Sequence, residues 1–230
     1  GIENLTSIPG LVGAAVVQNI GAYGAAMSES VFSIEAYDTR EEKFVSFKNN
    51  ECAFGYRTSI FKTQRDRFFI TAVTFRLGIA PAPRLSYKDL ATRFGDSGEV
   101  VTLANIRQAV ATIRAGKFPP LEHFGTAGSF FLNPVLTAEE AEKMRAQFPA
   151  IPLFPMPEGG VKVPVAWILD HVLQLKGLRI GGAFLWEAQP LVIAAEPGTT
   201  AEEARALARA VSEKVLSETG ITITPEVRIL

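Results

Sequence analysis

Residues 31–77 constrain the fold most. Two runs, "VFSIEAYD" at 31–38 and "KFVSF" at 43–47, are separated by the polar "TREE". Short runs rich in β-branched and aromatic residues read as strands, and a polar break of this length between two of them reads as a hairpin. The run "FFITAVTFRL" at 68–77 has the same chemistry and reads as a buried strand. Other segments repeat at a helical period. Over 102–115, Leu103, Ile106, Val110 and Ile113 share one helix face, and Gly116, Pro119 and Pro120 end it. Thr137-x-x-Glu140 and Thr200-x-x-Glu203 are capping-box signatures. The first opens a helix to about Phe148, the second a helix with Leu207, Ala208, Val211 and Val215 inward. "VAWILDHVLQL" at 165–175 is apolar at 165, 168, 169, 172 and 173 and predicts a helix that stops at Gly177. Short strands are expected near 180–185, 191–195 and 221–229. The mixture is α+β. "APAPR" at 80–84 breaks the chain, and the composition shift in "GKFPPLEHF" at 116–124 reads as a linker.

Composition narrows the function. A chain of 230 residues with 47% hydrophobic and 10% aromatic content can bury a real core, and its length suits one large or two small domains. The 23 basic and 24 acidic side chains form no long single-sign block. A nucleic-acid footprint or a polybasic membrane patch is therefore not expected. No run of about 18 apolar residues is present, so no membrane span is expected either. Gly1 rather than Met opens the sequence, which points to a processed or truncated start. The single Cys52 excludes an intramolecular disulfide and fits a reducing compartment. Its mixed setting in "NNECAFGYR" favours a buried small hydrophobe over a nucleophile. His123 and His171 lie far apart and no HxxxH or CxxC spacing occurs, so no metal site is expected. No G-x-S-x-G elbow, G-x-G-x-x-G fingerprint or Walker A loop is present.

Several residues could carry chemistry. The first 24 residues hold five glycines and one charge, Glu3. Such a segment is a tightly turned connection or backbone that lies against a ligand. In "GYRTSIFK" at 55–62, Arg57 can pair bidentately with a carboxylate or phosphate, or be a surface arginine in a turn. "RAGK" at 114–117 places two cations at a helix C-terminus, where they complement the helix dipole or meet an anion. Tyr87 in "SYK" suits a loop aromatic that stacks on a ligand, or a half-buried core tyrosine. Glu226 in "TPEVRIL" is a strand-edge carboxylate, or a proton handler if buried. Ser129 in "GTAGSFFLNP" has no base near it in sequence and is a poor nucleophile. A turn serine explains it, as does a hydroxyl held rigidly against a substrate.

Taken in order, "ENLTSIPGLVGAAVVQNIGAYG", "FGYRTSIFK", "LSYKDL", "GTAGSFFLNP", "AWILD…LKGLRIGGA" and "TPEVR" resemble the UDP-N-acetylenolpyruvoylglucosamine reductases. The resemblance covers almost the whole chain. It implies an FAD enzyme of peptidoglycan precursor synthesis in the cytoplasm, active in cell wall biogenesis, cell shape and cell division. NADPH would reduce the flavin, and the enolpyruvyl double bond of UDP-N-acetylglucosamine enolpyruvate would then be reduced to give UDP-N-acetylmuramate. Hydride reaches the CH2 carbon, so the site must stabilise the resulting enolate and protonate it. By resemblance Ser129 is the proton donor, Arg57 polarises the substrate carboxylate, and Glu226 stabilises the intermediate. Tyr56, Lys117, Asn133, Lys176 and Gln189 match positions that hold the UDP-sugar. Tyr87 matches the tyrosine of a loop that closes over the nucleotide and marks the longer-loop subclass. Gly10, Gly13, Gln18, Asn19 and Gly21 match backbone that lines the flavin. Residues 1–115 would complete an FAD-binding domain and 116–230 would form an α+β substrate-binding domain.

The sequence departs from the family pattern in three places. Leu132 stands where a lysine usually follows the paired phenylalanines. Trp186 and Ala195 stand where members often carry histidine and asparagine. An N-terminal stretch of roughly a hundred residues, with a Gly-Gly-Gly-Ser-Asn-type pyrophosphate loop, is absent. The rival expectation is therefore a nucleotide-sugar-binding fragment without catalysis. A further one is another oxidoreductase on the same flavin scaffold.

Overall fold

Hydrophobic periodicity resolves into an α+β architecture in the computed structural model, which describes residues 1–79, 83–95, 98 and 100–229. Ala80–Ala82 of the expected chain break lie outside the described residues. The chain divides into two compact units, Gly1–Arg114 and Ala115–Leu230.

In the first unit, helix α1 (Val12–Gln18) ends on Asn19 in the left-handed conformation. The short hairpin β1 (Gly21–Ala22) and β2 (Ala25–Ala26) follows at once. Strands β3 (Val31–Asp38) and β4 (Lys43–Lys48) then form the hairpin that the "TREE" turn predicts. After the one-turn helix α2 (Ile60–Thr63), strand β5 (Phe68–Phe75) pairs antiparallel with the other side of β3, giving the order β4-β3-β5. Helices α3 (Lys88–Phe94) and α4 (Leu103–Lys117) complete the run, and α4 continues past the predicted stop. Ile34 and Ala36 of β3 are fully buried together with Val16 and Cys52. Burial lifts the Cys52 thiol to about 11, as befits a small hydrophobe. One expectation is corrected. β5 is an edge strand, buried on one face only, and Phe69 is 70% exposed. Its partner across the sheet is Tyr37, which in turn pairs with the equally exposed Phe44. Aromatic content alone cannot tell a strand covered on both faces from one covered on one.

The second unit is built on a four-stranded antiparallel sheet. Its strands are β6 (Gly125–Ser129), β10 (Arg179–Ile180), β11 (Ala183–Leu185) and β12 (Val192–Ala195), in the order β10-β11-β12-β6. Three shorter strands, β7 (Val135–Leu136), β8 (Phe154–Pro155) and β9 (Val161–Lys162), pair in the order β7-β9-β8. Helix α5 (Ala138–Gln147) starts on the predicted Thr137/Glu140 capping box. Helix α7 (Ala201–Thr219) starts on the Thr200/Glu203 box and packs its Leu207, Ala208, Val211 and Val215 onto β10 and β11. Gly220, at φ 71°, caps it.

Two segments differ from their pattern. The helix expected over 165–175 is α6 (Val165–Trp167) followed by a π turn over Ile168–Val172. The Leu173 amide reaches the Ile168 carbonyl five residues back at 3.0 Å. Ile168 and Leu169, the first two residues of this wider turn, are completely buried. The strand expected over 221–229 reduces to a single bridge, Phe131 to Pro225. Pro225 has no N–H with which to extend the ladder.

Candidate functional site

In the first unit the candidate residues gather at the end of α1. Asn19 is 94% buried and commits its side chain to two loops. Its Nδ2 donates to the Gly55 carbonyl at 2.9 Å, and its Oδ1 accepts from the Ser28 amide at 3.0 Å. Ser59 opens α2 and donates its hydroxyl to the Val17 carbonyl at 2.8 Å. These bonds clamp the "GYRT" turn against the glycine-rich segment. Within that turn Gly55 and Thr58 form a bridge, and Arg57 takes φ 54°. Left-handed backbone at a non-glycine residue costs about 1–2 kcal/mol, and such strain clusters at ligand sites.

The strain places a cation. Arg57 Nη2 donates to the Gly21 carbonyl at 2.6 Å, and its guanidinium carbon lies 5.5 Å from the Tyr56 ring centroid. A Cβ on Gly21 would stand 2.9 Å from Arg57 Nη1, so the glycine gives the guanidinium its room. Two residues on, Tyr23 meets Tyr87 edge to face at 5.1 Å. Tyr87 is 42% exposed, whereas Tyr23 is buried and its hydroxyl is pushed up to about 12, chiefly by desolvation. The hairpin at Gly21–Ala26 thus connects Arg57, Tyr56, Gln18, Asn19 and Tyr87.

An open cleft of about 560 Å³ lies along the same glycine-rich segment, bordered by Gly10, Leu11, Ile20, Leu77, Leu103 and Arg107 among others. Gly10 has φ 122° with nothing where a Cβ would project. Leu11 is 80% exposed beside it. Gly13, in the first turn of α1, faces β5: a Cβ there would meet Ile70 at 3.7 Å, an ordinary van der Waals contact.

The second unit assembles the serine and the glutamate. Ser129 ends β6 opposite Val192 and is half-buried. Gly128 before it has φ 79° and open space where a side chain would be. Phe130 and Phe131 after it are buried in the core with their rings 5.1 Å apart, and they fix the strand. The amide of Glu226 donates to the Phe130 carbonyl at 2.8 Å, and that of Leu132 to the Thr224 carbonyl at 2.9 Å. The C-terminal tail therefore lies beside the segment that follows Ser129, and Glu226 sits opposite Phe130, one register step from Ser129. Both are partly accessible, which suits a proton donor and an acidic partner on one ligand.

The other residues of the set lie on separate elements. Asn133 accepts from the Val165 amide at 2.9 Å and so caps α6. Gln189 lies in the turn from β11 to β12, and its carbonyl accepts from the Val192 amide at 2.9 Å. Lys176 pairs with Asp170 at 2.8 Å. Lys117 is half-buried at the last residue of α4. Trp186 packs against Phe124 and Phe184, with its indole N–H buried. Ala195 pairs with Gly125 and Ala183 in the sheet interior. The clamps that sequence reasoning passed over are Ser59 and Tyr23; Asn19 is expected from the sequence only as backbone along the flavin, not as a side-chain clamp. Only the Ser59 position, three before Lys62 at a helix start, left a sequence signal.

Known proteins resemble this chain over its whole length. The family model for UDP-N-acetylenolpyruvoylglucosamine reductase, C-terminal domain, matches residues 119–230. The reductase of that name from Porphyromonas gingivalis is 40% identical over 231 residues, covering 100% of this chain and 68% of its own length. Those from Neisseria gonorrhoeae and Burkholderia mallei are 38% and 42% identical, each covering 98% of this chain and 66% of their own. The chain thus spans about two thirds of the length of these relatives. The crystal structure of the Thermus caldophilus reductase superposes with a TM-score of 0.66 at 21% identity, over 99% of this chain and 63% of that one, and shares the fold. Identity of 40% across every residue, including the tail that carries Glu226, places the chain in the UDP-N-acetylenolpyruvoylglucosamine reductase family.

Proposed function

We propose that this chain belongs to an FAD-dependent oxidoreductase that uses NADPH to reduce UDP-N-acetylglucosamine enolpyruvate to UDP-N-acetylmuramate, in peptidoglycan precursor synthesis. The observation that carries the reading is the pairing of the Glu226 tail with the Ser129 strand, through Glu226 N–H to Phe130 C=O at 2.8 Å. The resemblance gives these two residues the roles of proton donor and intermediate-stabilising acid, and the backbone pairing of their segments supports that reading.

The roles follow from chemistry. Arg57 pairs with the enolpyruvyl carboxylate, which draws electron density from the double bond. When bound, the flavin supplies hydride to the terminal carbon. Ser129 gives its proton to the adjacent carbon. A neutral hydroxyl suffices, because the enolate is strongly basic and placement matters more than acidity. Glu226 stabilises the charge that forms. Tyr56, Lys117, Asn133, Lys176 and Gln189 hold the UDP-sugar, and Tyr87 covers the nucleotide. The residues present fit a flavin. The cleft falls within the ~300–1,000 Å³ range of cofactor sites, and Gly10 leaves its backbone bare toward the opening. Of the residues matched to the flavin, Gly10 borders this cleft, and Gly13, Gln18, Asn19 and Gly21 would hold the group from α1 and the hairpin beside it. In this reading residues 1–115 are part of the FAD-binding domain and 116–230 bind substrate. The partner is the small UDP-sugar rather than nucleic acid or a membrane, and the work is cytoplasmic. Among the described residues no helix is long and apolar enough to cross a membrane.

Ser129→Ala tests the reading in the protein expressed from its complete coding sequence. Reduction of the flavin by NADPH should stay within about twofold, while reoxidation by substrate should slow by about 10²–10⁴-fold, the usual contribution of a positioned acid. Unchanged reoxidation would remove Ser129 from the reaction. A second reading is nucleotide-sugar binding by this chain without catalysis. It predicts that the purified 230-residue chain is colourless, and a bound oxidised-flavin spectrum excludes it.

A further inference from the structure

We propose that Lys62 is the positioning residue for Arg57. This deepens the reading above and rests on it for the part that concerns turnover. Lys62 lies in α2, five residues after Arg57, and its ammonium bridges two acceptors. One is the main-chain carbonyl of Arg57 at 2.8 Å. The other is the Gln18 side-chain Oε1 at 2.7 Å. The first acceptor belongs to the residue in left-handed conformation, and the second to the last residue of α1.

The geometry gives the bridge a specific consequence. Arg57 at φ 54° is in a conformation that side-chain-bearing residues leave when unrestrained. Rotation of that peptide would swing the Arg57 carbonyl away and carry the guanidinium off the Gly21 carbonyl, which it reaches at 2.6 Å. The ammonium holds the carbonyl by a charge-assisted bond, about twice the strength of a neutral one. Asn19 restrains the turn from its Gly55 side, through the Gly55 carbonyl at 2.9 Å, so Lys62 closes the opposite side. The Ser59 cap makes α2 a rigid base for it: the Lys62 amide donates to Ser59 Oγ at 3.3 Å and Ser59 Oγ–H is anchored on Val17. Lys62 is thus placed to act through Arg57 by holding the conformation that aims it.

The test uses Lys62→Met, which keeps length and removes the ammonium, with Lys62→Arg as the conservative rescue. The first readout is independent of turnover. In nitrogen-15 spectra of the 230-residue chain the Arg57 Nη2–H signal, assigned through Arg57→Gln, should be resolved and slow to exchange, because Nη2 donates to the Gly21 carbonyl. In Lys62→Met it should move to the position of a solvent-exposed arginine, and in Lys62→Arg it should return toward wild type. An Arg57 signal unmoved by Lys62→Met overturns the proposal. The second readout is kinetic, in the protein from its complete coding sequence. Lys62→Met should lower kcat with UDP-N-acetylglucosamine enolpyruvate by on the order of tenfold to a hundredfold, the effect of a slightly misplaced group. NADPH oxidation with ferricyanide as acceptor should stay within about twofold. Equal loss of both activities indicates a general structural role and overturns the proposal. If wild type itself fails to reduce the UDP-sugar, the functional reading fails, while the Arg57 signal still decides for or against the Lys62 bridge. Should Lys62→Met not fold, Lys62→Gln takes its place in both readouts.

Discussion

At the scale of single residues, the glycines of this chain do two different physical jobs. Gly128 has φ 79° and open space around its missing Cβ, so its constraint is conformational. Gly21 has no such φ, and its constraint is steric: a Cβ would sit 2.9 Å from Arg57 Nη1 and 3.1 Å from the Ala25 carbonyl. Gly128→Ala should therefore cost about 1–2 kcal/mol of stability through backbone strain. Gly21→Ala should act mainly on function. Its methyl displaces the guanidinium from the Gly21 carbonyl, and a hydrogen bond to a charged group is worth about 1.5–3 kcal/mol. Titration calorimetry with the enolpyruvyl UDP-sugar should show about tenfold weaker binding or more for Gly21→Ala, with a melting temperature close to wild type. A large fall in melting temperature with unchanged affinity would contradict the steric argument. The sequence announced Arg57 as a candidate but not this arrangement. A left-handed arginine and a glycine kept bare for its side chain depend on loops that meet only after folding.

At the scale of elements, what the sequence encodes most legibly is what depends on neighbours a few residues away. The capping boxes at Thr137 and Thr200 and the hairpin at 39–42 formed as their local chemistry dictates. The π turn over Ile168–Val172 and the loss of the 221–229 strand did not follow from pattern, because core depth and a proline decide them. The hairpin shows how one buried side chain secures an element. Asp38, at the end of β3, is 2% exposed and accepts from the Arg67 guanidinium at 2.7 and 3.0 Å. It also accepts from the Arg40 and Glu41 amides in the turn at 3.0 and 3.3 Å. The Arg67 hydrogen bond, aided by these amides, holds the carboxyl down to about 2. The unfolded chain binds that proton at about 3.9. The folded value is the lower one, so the stabilisation is complete above about pH 4 and is lost as pH falls toward about 2. Asp38→Asn should melt below wild type at pH 7, and the gap should close over that window. A gap that persists at pH 2 would mean that shape rather than charge matters at this position.

At the scale of the whole molecule, each unit closes its own core. The buried cluster from Phe130 to Ile223 draws on the Phe130–Phe131 segment after β6 and on α5, β11, β12, the π turn and α7, all from the second unit. Val163, Val165, Ile168, Leu169, Leu185, Leu207 and Val211 are each fully buried there. The clusters around Ile34 and around Leu90 are made only of first-unit residues. A core that needs no residue from elsewhere, in a segment of ordinary domain size of about 100–150 residues, meets the requirement for independent folding. Residues 115–230 expressed alone should therefore unfold in one cooperative transition. The amides of Val192–Ala194, in the centre of the four-stranded sheet, should be the slowest to exchange. Leu207→Ala in that segment should cost about 2–5 kcal/mol, since it empties a site with no exposed surface. Because Ser129, the Glu226 tail, Asn133 and Gln189 are all carried by this unit, the isolated segment should also keep the Glu226 N–H to Phe130 C=O bond. That bond can be followed by exchange of the Glu226 amide. A segment that melts without a transition, or a Glu226 amide that exchanges at the free rate while the sheet stays protected, would show that the serine edge depends on the rest of the chain.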